Sequence, residues 1–155
     1  MWAFRLSTLE AAARSSSDVG GVGGETCLSI ACGRGSIDVI SLLISHGADL
    51  EAKATNNGRT ALHVASSCGH LDVISLLISH GADLEAKGGR DLEAKGKETG
   101  GTPIIWAVAH NQPRAVELLI AKGCNFNALT KIPPSNQLVT PLRMAEGLKH
   151  AQIVE

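Results

Sequence analysis

The sequence predicts an all-α solenoid of stacked helix-turn-helix units, and three observations predict it. First, a block is written twice, 34 residues apart: Ile37 to Lys53 recurs as Leu71 to Lys87 and differs only at its first residue. A period of this length marks a stacked array of supersecondary units rather than one closed core. Second, Thr26, Thr60, Thr102 and Thr140 each open a similar apolar segment: Thr-Cys-Leu-Ser-Ile-Ala, Thr-Ala-Leu-His-Val-Ala, Thr-Pro-Ile-Ile-Trp-Ala and Thr-Pro-Leu-Arg-Met-Ala. Third, aromatic residues are nearly absent, with Trp2, Trp106, Phe4 and Phe126 and no tyrosine. The core must then be Leu, Ile, Val and Ala, which suits thin, closely packed helices.

The elements follow in order. Thr8 to Arg14 reads as a short helix, and Asp18-Val19 as the start of a second that Gly20 to Gly24 cuts off. Glycine disfavours helix by about 1 kcal/mol per residue relative to alanine, so this stretch is expected to be a connector. Each threonine then caps a first helix, since its hydroxyl can accept from the first turn, and Pro103 and Pro141 fit N1, where no N–H is missed. These helices are expected to stop near Gly35, Gly69 and Asn111, residues that accept a positive φ.

A second helix follows in each unit, over Leu71 to Ser79 in the second. Val73, Ile74, Leu76, Leu77 and Ile78 give it a broad apolar face. Asp72 in its first turn and His80 at its end suit the helix dipole, and Gly81 supplies the stop. The first unit has the same parts in Asp38, His46 and Gly47, and the third in Val116, Leu118, Leu119, Ile120, Lys122 and Gly123. Between helix pairs the chain is polar and turn-rich, as in Asn56-Asn57-Gly58-Arg59. Thr60 and Thr102 lie 42 residues apart because Asp83 to Gly88 recurs as Asp91 to Gly96. Thr130 to Val139, with Pro133-Pro134, is expected to be a long loop. His150 to Val154 lines up with His70 to Ile74, halfway into a second helix.

Gly58-Arg59-Thr60-Ala61-Leu62-His63-Val64-Ala65, then Gly69-His70, then Leu76 to Asp83, resembles an ankyrin repeat. A tetratricopeptide unit shares the 34-residue period, but its Trp and Tyr signature is missing. The resemblance covers about 24–155. It implies paired antiparallel helices with loops projecting as β-hairpin-like fingers. Repeats are expected at about 24–53, 54–87 and 100–129, with an insert at 88–99 and a truncated repeat at 130–155. Residues 1–23 are then a degenerate capping helix and connector. The resemblance also implies that His63 is structural and bonds to backbone in the neighbouring loop.

Function classes narrow in the same way. Net charge is −1, so no electrostatic footprint for nucleic acid or an anionic membrane is expected. No apolar run approaches the roughly 18 residues of a membrane span. Met1 to Arg14 carries Arg5, Glu10 and Arg14 without an apolar stretch. Its arginines and serines would also fit a mitochondrial leader, against which Glu10 argues. The four cysteines form no C-x-x-C pair, so a reducing cytoplasmic setting is expected, with the nucleus also open. His46 and His80, and Cys68 before His70, invite a metal reading. The histidines occupy equivalent positions one repeat apart, however, and helix layers stack at about 10 Å, whereas zinc needs ligands at about 2.0–2.3 Å from one centre. No glycine-framed serine marks a catalytic nucleophile, and Gly20 to Gly24 lacks the Lys-Ser/Thr end of a phosphate loop. No catalytic residue, metal or cofactor is expected. Cys27 and Cys32 read as buried and inert, and Trp106 as core packing, with a partly exposed contact for a ligand as the alternative.

The resemblance implies a non-catalytic module that binds a protein partner on a concave surface of fingers and first helices. Carried over position by position, the finger residues are Glu25, Asn56, Asn57, Arg59, Lys97, Glu98 and Thr99. The first-helix residues are Arg34, Ser67, Cys68, Ala109 and His110. Arg59 has a structural alternative, an ion pair with Glu25. Asn127 resembles the loop asparagine that an oxygen-dependent asparaginyl hydroxylase modifies in such repeats, although Asn125 replaces the usual acid two residues earlier; the alternative is a turn asparagine bonding its own backbone. The chain is expected to be monomeric. Two other classes remain open: a substrate-recruiting part of a larger enzyme or effector, and a structural chain with no specific ligand.

Overall fold

The threonine at the head of each first helix decides where the chain enters its units. A computed structural model describes residues 24–88 and 100–127, the backbone of 130–132 and 137–139, and Pro141. Thr26 opens α1 (Cys27–Arg34): its hydroxyl accepts from the Ser29 N–H at 3.0 Å, and Ser29 Oγ returns a bond to the Thr26 carbonyl at 2.8 Å. Thr60 opens α3 (Ala61–Cys68) in partnership with His63. Thr102 opens α5 (Pro103–Ala109), with proline in the first turn. Each is followed by a second helix: α2 (Ile37–Ser45), α4 (Leu71–Ser79) and α6 (Pro113–Ala121).

All six helices of the described residues end in one way. The N–H just after the turning residue reaches back five residues, as from Ser36 to Ala31 (3.1 Å), His70 to Ala65 (3.2 Å) and Ala82 to Leu77 (3.1 Å). The residue that turns the chain sits at positive φ: Gly35, Gly47, Gly69, Gly81, Gly123 and, in the place of a glycine, Asn111 at 52°. This is the Schellman ending, and it satisfies carbonyls that a helix end would otherwise leave unpaired. The expected stops at Gly35, Gly69, Gly81 and Asn111 are therefore the observed ones.

The short links fold each pair back on itself, and pairs then stack. Helices α1, α3 and α5 pack in an inner row, and α2, α4 and α6 in an outer row. A single apolar cluster runs through both rows, with Ile40, Leu62, Ile74, Leu77, Ile104 and Leu119 fully buried. The resulting architecture is the all-α repeat solenoid.

The duplicated block lets identical residues be compared in two surroundings. Val73 on α4 is 1% exposed, because α2 packs against α4. Val39, its equivalent on α2, is 48% exposed, with Leu42 beside it at 44%. Val73→Ala should therefore cost about 2 kcal/mol through lost burial and the cavity left behind. Val39→Ala should stay within about 0.5 kcal/mol. Urea denaturation of the two variants checks this, and equal losses would contradict it.

Neighbouring repeats are also tied by carboxylates. Glu51 accepts from the Asp83 N–H at 2.8 Å, and Glu85, one repeat on, accepts from the Asn125 N–H at 2.7 Å. In the same loops Asp49, Asp83 and Asn125 each accept from the N–H two residues ahead, closing the same turn three times.

One expectation needs correction. Thr130 to Val139 is not wholly loop: Thr130–Ile132 (β1) and Gln137–Val139 (β2) pair antiparallel, Thr130 opposite Val139. The expected helix at Thr8 to Arg14, the connector before Gly24 and the unfinished helix at His150 to Val154 lie outside the described residues.

Candidate functional site

Two successive fingers set the candidate site. In the first, Ala54 N–H donates to the Arg59 carbonyl at 3.0 Å and Gly58 N–H to the Ala54 carbonyl at 2.7 Å. Asn57 Oδ1 accepts from the Arg59 N–H at 3.0 Å. The next finger is closed at its base by Gly88 and Gly101, which pair antiparallel. The fingers nearly touch, since a Cβ on Gly88 would lie 2.9 Å from the Gly58 carbonyl oxygen. Glycine there is a requirement of the close approach.

His63 holds the base of this arrangement. It is fully buried on α3. Its Nδ1 faces the Thr60 N–H at 3.2 Å and the Thr60 hydroxyl at 2.8 Å. An N–H only donates, so Nδ1 carries the lone pair and the proton sits on Nε2. Nε2–H donates to the Gly101 carbonyl at 2.9 Å, in the next finger. This is the backbone bond to the neighbouring loop that the sequence led one to expect.

Above that base lies a stack of three side chains. The Arg59 guanidinium carbon sits 4.8 Å from the Trp106 ring centroid. Trp106 and His110 stack with centroids 5.8 Å apart and planes 24° from parallel. Trp106 is fixed by its indole N–H, which donates to the Gly88 carbonyl at 3.2 Å. His110 is fixed by Nδ1–H, which donates to the Trp106 carbonyl at 2.9 Å. Arg59 thus lies on the indole and, among the described residues, pairs with no carboxylate, Glu25 included. Trp106 is half-buried, a wall between repeats rather than the core residue expected.

The other expected contact residues divide. Arg34, Cys68 and His110 occupy equivalent positions near the ends of α1, α3 and α5, and all three are exposed. Asn56 is also exposed, and Glu25 and Ala109 are half-buried. Ser67 is buried and turns its hydroxyl to the Val64 carbonyl at 2.9 Å. Asn57 spends its side-chain oxygen inside its own finger. Lys97, Glu98 and Thr99 lie outside the described residues. Asn127 is exposed, and its N–H is held by Asn125 Oδ1 at 3.1 Å.

The remaining chemistry-bearing groups serve the scaffold. Burial, with a smaller contribution from Cys68, pushes the Cys32 thiol up to about 12, and burial pushes Cys124 up to about 11. Neither is a nucleophile near neutrality. Cys27 is half-buried rather than buried. His46 and His80 each donate from Nδ1 to a carbonyl one turn back, Leu42 at 2.8 Å and Leu76 at 2.9 Å, and so finish their helices. Among the described residues no three His, Cys, Asp or Glu side chains gather in a way that would hold a metal ion. No helix among them is long and apolar enough to cross a membrane.

Comparison with known proteins agrees with this geometry. A family model described as ankyrin repeats, in three copies, matches residues 3–88, and a second, described as ankyrin repeat, matches 99–131. No curated protein matches the chain.

Proposed function

The chain belongs to the ankyrin repeat family, and on that premise we propose that it is a non-catalytic adaptor or scaffold module that binds a protein partner on its fingers and inner helices. Members of the family generally serve as protein–protein interaction modules and are typically non-catalytic. The observation that supports the assignment to this face is the exposed column Arg34, Cys68 and His110, one residue at the end of each inner helix at the same repeat position. Arg59 and Asn56 on the finger border it, and a cytoplasmic compartment suits its exposed Cys68 thiol. Asn127 enters as a modification point rather than a contact. A gain of one oxygen on incubation with an asparaginyl hydroxylase tests that part.

Partner capture from a native lysate tests the face. Arg59→Ala and Cys68→Asp should each abolish or strongly weaken capture while leaving the melting temperature nearly unchanged. Asp38→Lys and Glu117→Lys, on the outer row, should not affect it. Capture that ignores the first pair and fails with the second would place the binding surface on the outer helices.

A further inference from the structure

We propose that the Arg59–Trp106–His110 stack is the docking point for a carboxylate on an acidic segment of the protein partner. This rests on the binding reading above and names the chemistry of what binds.

The first support is the distribution of charge. The inner helices α1, α3 and α5 contain no Asp or Glu, and the one Lys or Arg among them is Arg34. The helical carboxylates, Asp38, Asp72 and Glu117, all belong to the outer row. Arg59 adds a second cation beside the inner row, and Glu25, the carboxylate on the preceding finger, leaves it unpaired among the described residues. An acidic segment laid along this face meets cations without repulsion from the helices beneath it, while a basic one is disfavoured.

The second support is the way Arg59 is held. The Arg59 guanidinium carbon lies over the indole at 4.8 Å, a cation–π contact that uses none of its N–H donors. The stacking therefore leaves the fork that pairs with a carboxylate in bidentate fashion. Among the described residues no acceptor takes any of those donors, and Nε is buried without one. The fork is also pre-positioned. The Arg59 backbone is closed into its finger on both sides, by Ala54 and by Asn57. The indole beneath is pinned to Gly88 and flanked by His110. Little side-chain freedom then remains to be lost on binding. The Trp106 and His110 rings offer an apolar platform for the methylenes of a glutamate.

Selection of a library of random linear peptides on the immobilised full-length protein tests the proposal. Enriched peptides should carry Asp or Glu. Arg59→Gln should weaken a synthetic copy of an enriched peptide by about 30-fold or more, the loss typical of an interface hot spot. Replacing the peptide's carboxylates by amides should cause the same loss, and the two changes together should add little more. Arg59→Lys, which keeps the charge and loses the fork, should fall between. Enriched peptides without carboxylates, or ones indifferent to Arg59→Gln, overturn the proposal. If Cys68→Trp still blocks such peptides, binding on this face survives without the acidic chemistry. Failure to enrich any peptide would overturn both.

Discussion

His63→Leu should destabilise the array by about 2–4 kcal/mol, although the ring it replaces contacts no partner. Leucine fills most of the space and supplies neither hydrogen bond. The Thr60 N–H loses its acceptor at 3.2 Å, and the Gly101 carbonyl loses the His63 donor at 2.9 Å and keeps only the Gly88 N–H at 3.2 Å. Both groups lie where water does not reach, since Thr60, His63 and Gly101 are all buried. A buried polar group left unpaired costs about 1–3 kcal/mol, which falls on the Thr60 N–H, and the lost bond to Gly101 adds about 1 kcal/mol. The bond to Gly101 also joins different repeats, so part of the loss falls on the interface that holds α3 to the finger before α5. Stability in such arrays is a sum of repeat and interface contributions. Urea denaturation should show a lower midpoint and a broader transition as the third repeat uncouples. A change below about 1 kcal/mol would mean that the two backbone groups find other partners. The equivalent residues show how local the device is: Ser29 closes its own cap onto Thr26, and Ile105 is simply core.

Much of this was legible in the sequence because a repeat is a local object. The bounds of α4, its cap residues and its glycine stop follow from apolar spacing and turn chemistry within nine residues. The same holds for the role of His63, which the motif around Thr60 carries. What could not be read are contacts set by how one repeat sits on the next. In sequence the eight-residue duplication lies between Arg59 and Trp106, so counting by the 34-residue period places them out of register. The same spacing hid nothing at Glu51 and Glu85. The exact recurrence of Asp-x-Glu one period apart is the sequence signal of the carboxylate ties between repeats. Ser67 and Asn57 carry polar side chains at positions facing a partner in such repeats. Their hydroxyl and amide turn inward because a helix carbonyl and a finger N–H are nearer than any ligand.

The second large effect is acid sensitivity, and His63 is again its source. Burial, opposed in part by the bond to Gly101, moves the imidazole from its ordinary 6.5 down to about 4. A histidine depressed in this way contributes stability that is complete above about pH 6.5 and is lost as the pH falls toward 4, because the unfolded chain binds the proton first. The difference corresponds to about 3 kcal/mol at full protonation, and to somewhat less at pH 4.5. Glu51 acts in the opposite sense. Burial and the nearby carboxylates of Asp83 and Asp49 raise its acid above the ordinary value, against the Asp83 N–H bond. Its contribution is therefore present at low pH and fades as the pH rises, but Glu51 is exposed and solvent screens it. The net expectation is a stability that drops between neutrality and pH 4.5. His63→Leu supplies the control, because leucine cannot titrate. The variant should be much weaker than the parent at pH 7, and the two denaturation midpoints should converge on acidification. The same imidazole can be followed directly by NMR in the parent chain, where it should hold its neutral form, with the proton on Nε2, well below pH 6. Parallel stability curves, or a His63 ring that titrates near its ordinary value, would show that the acid lability arises elsewhere in the array.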